Sequence, residues 1–266
     1  MSGLSTSPDW FKAGVQAGQR FGYSVSTAGD VDGDGFSDVV VGAPNSSGQG
    51  SAYVFNGSAS GISATAGWTG TGEAGARYGF TTATAGDFNG DGYADLIVGA
   101  HYNSNGKAFV YEGSATGLTA GHVWTTSGDG SVTAYGFCVS TAGDINGDGY
   151  SDALIGAYEP KAFVYHGSPA GFPASGSWSV SGTTGSLGKT VASASDVNGD
   201  GYSDVVIGDP EYFVNSHIAG KFSVYYGSSA GLASTPSFEK TGSLNGNAEY
   251  SVAQCGAPAG DVNGDG

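Results

Sequence analysis

The chain has 266 residues and a net charge of −16, with 24 acidic residues against 8 Lys and Arg. So few basic residues cannot neutralise a row of phosphates, which argues against nucleic-acid binding. No apolar run approaches the ~20 residues of a membrane span, and the first residues lack the basic and apolar regions of a signal peptide.

The composition favours strands and tight turns over helices. Glycine contributes 50 residues, and Tyr, Phe, Val, Ser and Thr are abundant while helix formers are few. An acidic stretch recurs through the sequence, first at residues 30–38 and again from residues 87, 144, 196 and 261. Such a long period indicates a repeat architecture in which each repeat is one supersecondary unit.

Each complete repeat carries four short segments with the character of strands. In the first repeat these are 21–28, the apolar run 39–42, the aromatic run 51–55 and a polar segment around Trp68. Four short strands in each repeat of ~50–60 residues are typical of a β-propeller blade. An open sandwich is the alternative, but it does not predict so regular a period. We therefore predict an all-β propeller of four complete blades and a partial fifth.

The predicted boundaries follow this period. Residues 1–20 are the outer strand of a preceding or closing blade, followed by blade 1 (21–77), blade 2 (78–134), blade 3 (135–186), blade 4 (187–247) and the partial blade 5 (248–266). Because the fifth repeat is incomplete, the sequence predicts either a fragment of a longer array or a homo-oligomer that completes the ring. Two copies would supply eight whole blades, a size known for propellers.

The acidic stretches are predicted metal sites. Side-chain oxygens at positions 1, 3, 5 and 9, with a backbone carbonyl at position 7, favour a hard cation such as Ca²⁺. An EF-hand would need Glu at position 12, where the complete copies have Val or Ile. A metal-free Asx turn is the alternative, but it would not need Asp at position 9 in all four complete copies.

We expect about one Ca²⁺ for each complete blade. The predicted ligands, copy by copy, are Asp30, Asp32, Asp34, Phe36 and Asp38; Asp87, Asn89, Asp91, Tyr93 and Asp95; Asp144, Asn146, Asp148, Tyr150 and Asp152; Asp196, Asn198, Asp200, Tyr202 and Asp204; and Asp261, Asn263 and Asp265.

These motifs carry a family resemblance. The Phe21-Gly22 strand, the Asp-x-Asp/Asn-x-Asp-Gly-x-x-Asp loop and the Val-Gly-Ala-Pro segment at 41–44 resemble the FG-GAP repeats of integrin α-subunit propellers and their bacterial relatives. The resemblance implies antiparallel blades with Ca²⁺ in the hairpin between strands one and two. The fourth repeat departs from the pattern, because Leu187 replaces the aromatic residue and Gly208-Asp209-Pro210 only partly matches Gly-Ala-Pro.

The expected function is a non-catalytic, calcium-stabilised interaction or adhesion module whose ligand is a protein or a glycan. The repeated polar residues are structural ligands, whereas the variable segments 101–105 and 211–217 are loops on a rigid scaffold, where binding normally occurs. Multi-site Ca²⁺ loops of low affinity suit millimolar calcium, so we expect an extracellular or cell-surface protein.

A carbohydrate-active propeller is the alternative. A lectin could stack sugars on Tyr102, Tyr158 and Tyr212. A polysaccharide lyase or glycosidase is less favoured, because most carboxylates are committed to the loops. The histidines, which form no zinc motif or triad and are expected at surfaces or turns, are His101, His122, His166 and His217. Cys138 and Cys255 occupy corresponding repeat positions and are interpreted as small packing residues.

Overall fold

β-Strands form all the regular secondary structure of the described part of the chain. The computed structural model describes residues 7–14, 17–45, 48–102, 105–182, 185–242 and 253–254. In chain order the strands are β1 Ser24–Gly29, β2 Asp38–Ala43, β3 Ser51–Phe55, β4 Trp68–Thr71, β5 Thr81–Gly86, β6 Asp95–Ala100, β7 Lys107–Tyr111, β8 Trp124–Thr126, β9 Tyr135–Gly143, β10 Asp152–Ala157, β11 Lys161–Tyr165, β12 Trp178–Ser181, β13 Thr190–Ser195, β14 Asp204–Asp209, β15 Phe213–Val214, β16 His217–Ile218, β17 Lys221–Tyr225 and β18 Phe238–Thr241.

Sixteen of these strands form four antiparallel sheets of four strands each. The orders are β1-β2-β3-β4, β5-β6-β7-β8, β9-β10-β11-β12 and β13-β14-β17-β18, so each sheet is a meander that follows the chain. The fourth sheet differs, because the small hairpin β15–β16 is inserted between its second and third strands. The predicted all-β class with four-stranded antiparallel blades is confirmed.

The second strand of each sheet is its most buried element. β6 and β10 are buried at every residue, and their apolar sequences Asp-Leu-Ile-Val-Gly-Ala and Asp-Ala-Leu-Ile-Gly-Ala explain why. A strand covered on both faces needs a continuous apolar run rather than an alternating one. The outer strands β4, β8 and β12 alternate between half-buried and exposed residues, as expected at a rim.

The four sheets stand side by side with their first strands in contact, as blades do around a propeller axis. Ser24 Oγ lies 3.0 Å from Thr82 Oγ1, and Ser26 Oγ donates to the Thr82 carbonyl at 3.0 Å. Further round, Cys138 Sγ donates to the Val191 carbonyl at 3.5 Å. Small polar side chains at these positions allow the first strands to approach closely.

Three apolar cores fill the spaces between neighbouring sheets. Between the second and third sheets, Phe88 stacks on Phe172 with ring centroids 4.5 Å apart, and both rings are buried. Full burial of one such side chain stabilises the fold by about 1.5–3 kcal/mol. Each outer-strand Trp also donates its Nε1–H to the next sheet, for example Trp68 to the Thr119 carbonyl at 2.9 Å. Neighbouring blades therefore hold one another.

The two ends of the array differ from the expectations in part. The described residues of 1–20 form no strand, although the outer strand of a blade is predicted there. An outer strand pairs with the third strand of its own blade, and no such strand lies beside these residues in the described part of the chain. Trp10 nevertheless packs edge-to-face on Phe55 with ring centroids 5.2 Å apart and donates to the Ser63 carbonyl at 3.2 Å. Trp68 makes the equivalent contacts one sheet further on, with Tyr111 and Thr119. The division into blades remains a prediction.

Most of the predicted fifth blade, with Cys255 and the fifth acidic copy, lies outside the described residues. Of this region, residues 253–254 are described, and Thr190 Oγ1 donates to the Ala253 carbonyl at 3.0 Å.

Cys138 has a free thiol whose pKa is raised by burial. In the part of the chain that the structure describes, no helix is long and apolar enough to cross a membrane.

Candidate metal sites

Each acidic loop connects the first strand of a sheet to the second, so the four loops lie at the same end of the four sheets. The strand pairing shifts by one residue just before the loop, between Thr27 and Gly29 in the first sheet. Gly29 has a φ of 80°, in the left-handed region where a side chain is unfavourable. This bulge turns the chain into the loop.

The first aspartate of each loop binds the loop's own backbone. Asp30 Oδ1 accepts the N–H groups of Gly33 at 2.8 Å and Asp34 at 3.1 Å, and Oδ2 accepts that of Gly35 at 2.9 Å. The three bonds recur at the aspartates of the other described loops, Asp87, Asp144 and Asp196. The pKa of Asp196 is lowered, chiefly by the bond from Gly201.

The ninth residue of each loop is a buried carboxylate. Asp38 accepts the Val31 N–H at 2.9 Å and the Gly57 N–H at 2.7 Å, one bond on each oxygen. The equivalent pairs of backbone bonds are made by Asp95, Asp152 and Asp204. These aspartates thus join the loop to the turn that follows the third strand.

Burial makes these carboxylates difficult to ionise. Desolvation raises the pKa of Asp95 and of Asp152 to about 7, against two backbone hydrogen bonds that lower it, and neighbouring aspartates raise it further. The pKa values of Asp38 and Asp204 are raised for the same reason. A cation beside the ninth residue would reverse the effect, because it would stabilise the charged form.

The side chains of the first loop bring several carboxylate oxygens close together, as a metal site requires. In the first loop, carboxylate oxygens of Asp30, Asp32 and Asp38 all lie within 4.8 Å of one another. Carboxylate ligands alone suit a hard cation, and Ca²⁺ takes such ligands at 2.3–2.6 Å. Each of these carboxylates has four lone-pair sites, so some capacity remains beside the backbone bonds. The residues present therefore fit Ca²⁺.

Position 3 distinguishes the first loop from the others. Asp32 Oδ2 accepts a bond from Asn56 Nδ2 at 2.6 Å. The later loops have asparagine there, and Asn89 Nδ2 donates to Asp91 Oδ2 at 3.0 Å, as Asn146 and Asn198 do to their own neighbours. The backbone ligands Phe36, Tyr93, Tyr150 and Tyr202 remain predictions, and Asp261, Asn263 and Asp265 lie outside the described residues.

The first three loops are each also attached to the loop of the next blade, which the sequence did not predict. The Ala94 N–H donates to the Asp30 carbonyl at 2.9 Å, and Ser151 and Ser203 make the same bond one and two blades further on. Tyr93 covers Gly33 so closely that a Cβ on this glycine would lie 2.6 Å from the ring. Two sequence features could have indicated this contact between loops: the small residue at position 8 and the aromatic residue at position 7 of each loop.

One histidine is placed differently from the sequence prediction. His101 was expected at a surface or turn, yet it is only 7% exposed and its ring lies 3.9 Å from that of Phe80. Burial, and secondarily the charge of Arg77, lower the pKa of His101 to about 4, so it is neutral at physiological pH. This residue packs with aromatic rings at the end of the sheets opposite the loops.

Comparison with known proteins identifies the repeats. A model described as FG-GAP repeat matches residues 21–55 and 78–111, and one described as FG-GAP-like repeat matches 144–207, together half of the chain. Human integrin alpha-7 is 29% identical over 174 residues, which cover 61% of this chain and 14% of that protein. Integrin alpha-4 of Xenopus laevis is 30% identical over 209 residues, covering 73% of this chain and 20% of that protein.

The chain thus spans less than two thirds of the length of these curated relatives. The crystal structure of BBS1N in complex with ARL6DN is 12% identical, with a TM-score of 0.41 and coverage of 80% of this chain and 53% of that one, too distant to inform the site. The family matches include all four described acidic loops. The chain belongs to the FG-GAP repeat family, and its repeats resemble those of integrin α-subunits.

Proposed function

We propose that this chain is a calcium-stabilised propeller module that binds partners outside the cell and catalyses no reaction. The observation that carries the proposal is the repetition of one hydrogen-bond arrangement in four loops at the same end of four adjacent sheets. About one Ca²⁺ in each complete blade would halve the net charge of −16. It would also remove the repulsion between aspartates that share a loop.

The ions would act as structural elements. Each ion would hold together the two strands of a hairpin, and the first three loops are each bonded to the next blade through the carbonyl of their first aspartate. Binding to the folded state alone stabilises it by about 2.7 kcal/mol for each site when free calcium is 100 times the dissociation constant. Four such sites would contribute about 11 kcal/mol, which is comparable to the whole net stability of a native protein.

A binding role is supported by how the repeated polar groups are used. The loop aspartates are engaged with backbone N–H groups, which leaves them poorly suited to proton transfer. The relatives are integrin alpha chains, so we extend to this chain a role in adhesion and a location outside the cell.

Thermal unfolding tests the calcium part of the proposal. The full chain should unfold at a clearly higher temperature in millimolar CaCl₂ than in EDTA, and MgCl₂ should restore little of the difference, because Mg²⁺ demands a tighter octahedral shell. Identical unfolding curves in CaCl₂ and EDTA would remove calcium from the proposal.

We also propose that the chain associates with further copies of itself. Val25 is 62% exposed, whereas the equivalent Val139 in the third sheet is 5% exposed and packed against its neighbour. At the other end Val197 is 56% exposed, whereas the equivalent Ile145 is fully buried. Both ends thus expose an apolar face that interior sheets cover. A solution mass equal to one chain at micromolar concentration with Ca²⁺ would contradict self-association.

A carbohydrate-binding propeller is the second candidate. Tyr102 and Tyr158 are 54% and 43% exposed, and both lie at the end of the sheets opposite the acidic loops. Arg77 lies over the Tyr102 ring and Lys189 over the Tyr158 ring, which holds these rings in place. Tyr212 is half-buried beneath Lys221 and offers less surface to a sugar.

A further inference from the structure

A cavity of about 390 Å³ opens at the start of the first strands, at the end of the sheets opposite the acidic loops. Four side chains from consecutive blades surround its mouth, each seven residues before the first aspartate of its loop: Tyr23, Phe80, Phe137 and Lys189. Hydroxyl groups of Ser24, Thr81 and Thr190 line the next layer. This volume lies within the range of small-molecule sites.

Three of the four side chains at the mouth are aromatic rings in contact, with their planes tilted by 40° between Tyr23 and Phe80 and by 52° between Phe80 and Phe137; this group is called the platform. The ring centroids of Tyr23 and Phe80 are 4.9 Å apart, and those of Phe80 and Phe137 are 5.1 Å apart. The buried His101 ring supports the platform from below, 3.9 Å from Phe80 and 5.1 Å from Phe137. The platform is therefore formed before any ligand arrives, which lowers the entropy cost of binding.

The cavity carries no unpaired charge. Lys189 is the only charged residue among the described residues that line it, and its Nζ lies 2.6 Å from Glu211 Oε1. The same ammonium group lies 4.8 Å from the centre of the Tyr158 ring. The neighbouring His101 is neutral. A charged ligand would find no free counter-ion here, and the net charge of −16 would repel an anion.

We infer that this cavity binds an uncharged pyranose sugar, with one face of the sugar ring on the Tyr23 and Phe80 rings. The sugar hydroxyls would donate to Thr81 Oγ1 and Thr190 Oγ1, whose own hydrogens are given to backbone carbonyls. A pyranose has an apolar C–H face and a polar edge, and the cavity offers aromatic surface beside hydroxyl groups. The inference rests on the proposed binding function and gives that function a ligand class.

The test uses the full chain in CaCl₂ and three neutral disaccharides, cellobiose, maltose and lactose, with glucuronic acid as the charged counterpart. Saturation-transfer NMR should show contact at the ring C–H protons of at least one disaccharide and none for glucuronic acid. Tyr23→Ala should weaken that binding about tenfold, the effect of losing one stacked ring. Phe238→Ala is the matched control, because Phe238 is a similarly exposed ring on the outer strand of the fourth sheet, outside the cavity and the acidic loops.

Two results would overturn the inference: no transfer to any of the three disaccharides, or equal affinity in Tyr23→Ala and the unchanged chain. Unfolding curves recorded on the same samples separate this inference from the proposed function. Calcium-dependent unfolding without sugar binding removes the sugar site and leaves the calcium-stabilised module. Sugar binding without calcium dependence retains the site and removes the role of the metal.

Discussion

The two ends of the sheets differ in how far the blades repeat one another. At the loop end, the first aspartate accepts the same three backbone bonds in all four described loops, with distances that agree within 0.1 Å. At the opposite end, the residues at equivalent positions differ: Tyr23, Phe80 and Phe137 are aromatic rings in contact with one another, whereas Lys189 pairs with Glu211. Repetition marks the end that supports the fold, and variation marks the end available for binding.

The largest effect is expected from removing a buried loop carboxylate. Asp152→Ala leaves the N–H groups of Ile145 and Gly167 without their acceptor and removes a predicted metal ligand. Two unsatisfied buried donors cost about 2–6 kcal/mol of unfolding free energy, measured by urea unfolding in CaCl₂. The control is Glu73→Ala at the variable end, which breaks an exposed ion pair with Lys107 and should cost about 1 kcal/mol or less. Equal losses in both variants would contradict the difference between the ends.

The contact between neighbouring loops can be isolated with two glycines. Gly90 and Gly199 both occupy position 4 with φ near 75°, but a Cβ on Gly90 would lie 2.5 Å from the Tyr150 ring, whereas nothing lies within 4 Å of one on Gly199. Both alanine variants pay about 1–2 kcal/mol for the left-handed backbone. Gly90→Ala should lose a further ~1–3 kcal/mol from overpacking. Indistinguishable losses in urea unfolding would show that the ring contact contributes nothing.

Without metal, acid should stabilise the protein. The pKa values of Asp95 and Asp152 are raised to about 7, above the ordinary value of 3.8, so the folded state binds protons more tightly than the unfolded chain. This contribution is complete below pH 3.8 and is lost as the pH rises through 7. In EDTA, each group should add on the order of 1–2 kcal/mol between pH 8 and pH 5.5. Urea unfolding at the two pH values, with Asp152→Asn as control, measures the change; lower stability at pH 5.5 would refute it.

The smallest effect is expected at the bulge of the fourth sheet. Ser195 has a φ of 58°, where the other three sheets have Gly29, Gly86 and Gly143. Ser195→Gly should therefore raise the unfolding free energy by about 0.5–1 kcal/mol by relieving an unfavourable backbone conformation. Ser193→Gly, two residues earlier in the same strand, should lower it by a similar amount. A loss in Ser195→Gly would show that this backbone is not strained.

The sequence predicts the loop end well because its interactions are local. The three bonds to Asp30 come from residues three to five positions later, so the spacing alone encodes them. The bond between Ala94 and Asp30 could not be predicted in this way, because it joins two repeats and depends on how the sheets pack. The burial of His101 could not be predicted either, because Phe80 lies 21 residues earlier in the same repeat and Phe137 lies in the next repeat, so both contacts depend on how the strands and sheets pack.

The stoichiometry of calcium binding tests the equivalence of the loops most directly. Isothermal titration of the metal-free full chain with CaCl₂ should give about one ion for each complete blade, and Asp152→Ala should lower the count by one. The three described loops with asparagine at position 3 should have similar affinities, and the first loop, where Asp32 adds a carboxylate, should bind the ion most tightly. Binding of no calcium, or of a single ion unaffected by Asp152→Ala, would contradict the assignment of the loops as repeated metal sites.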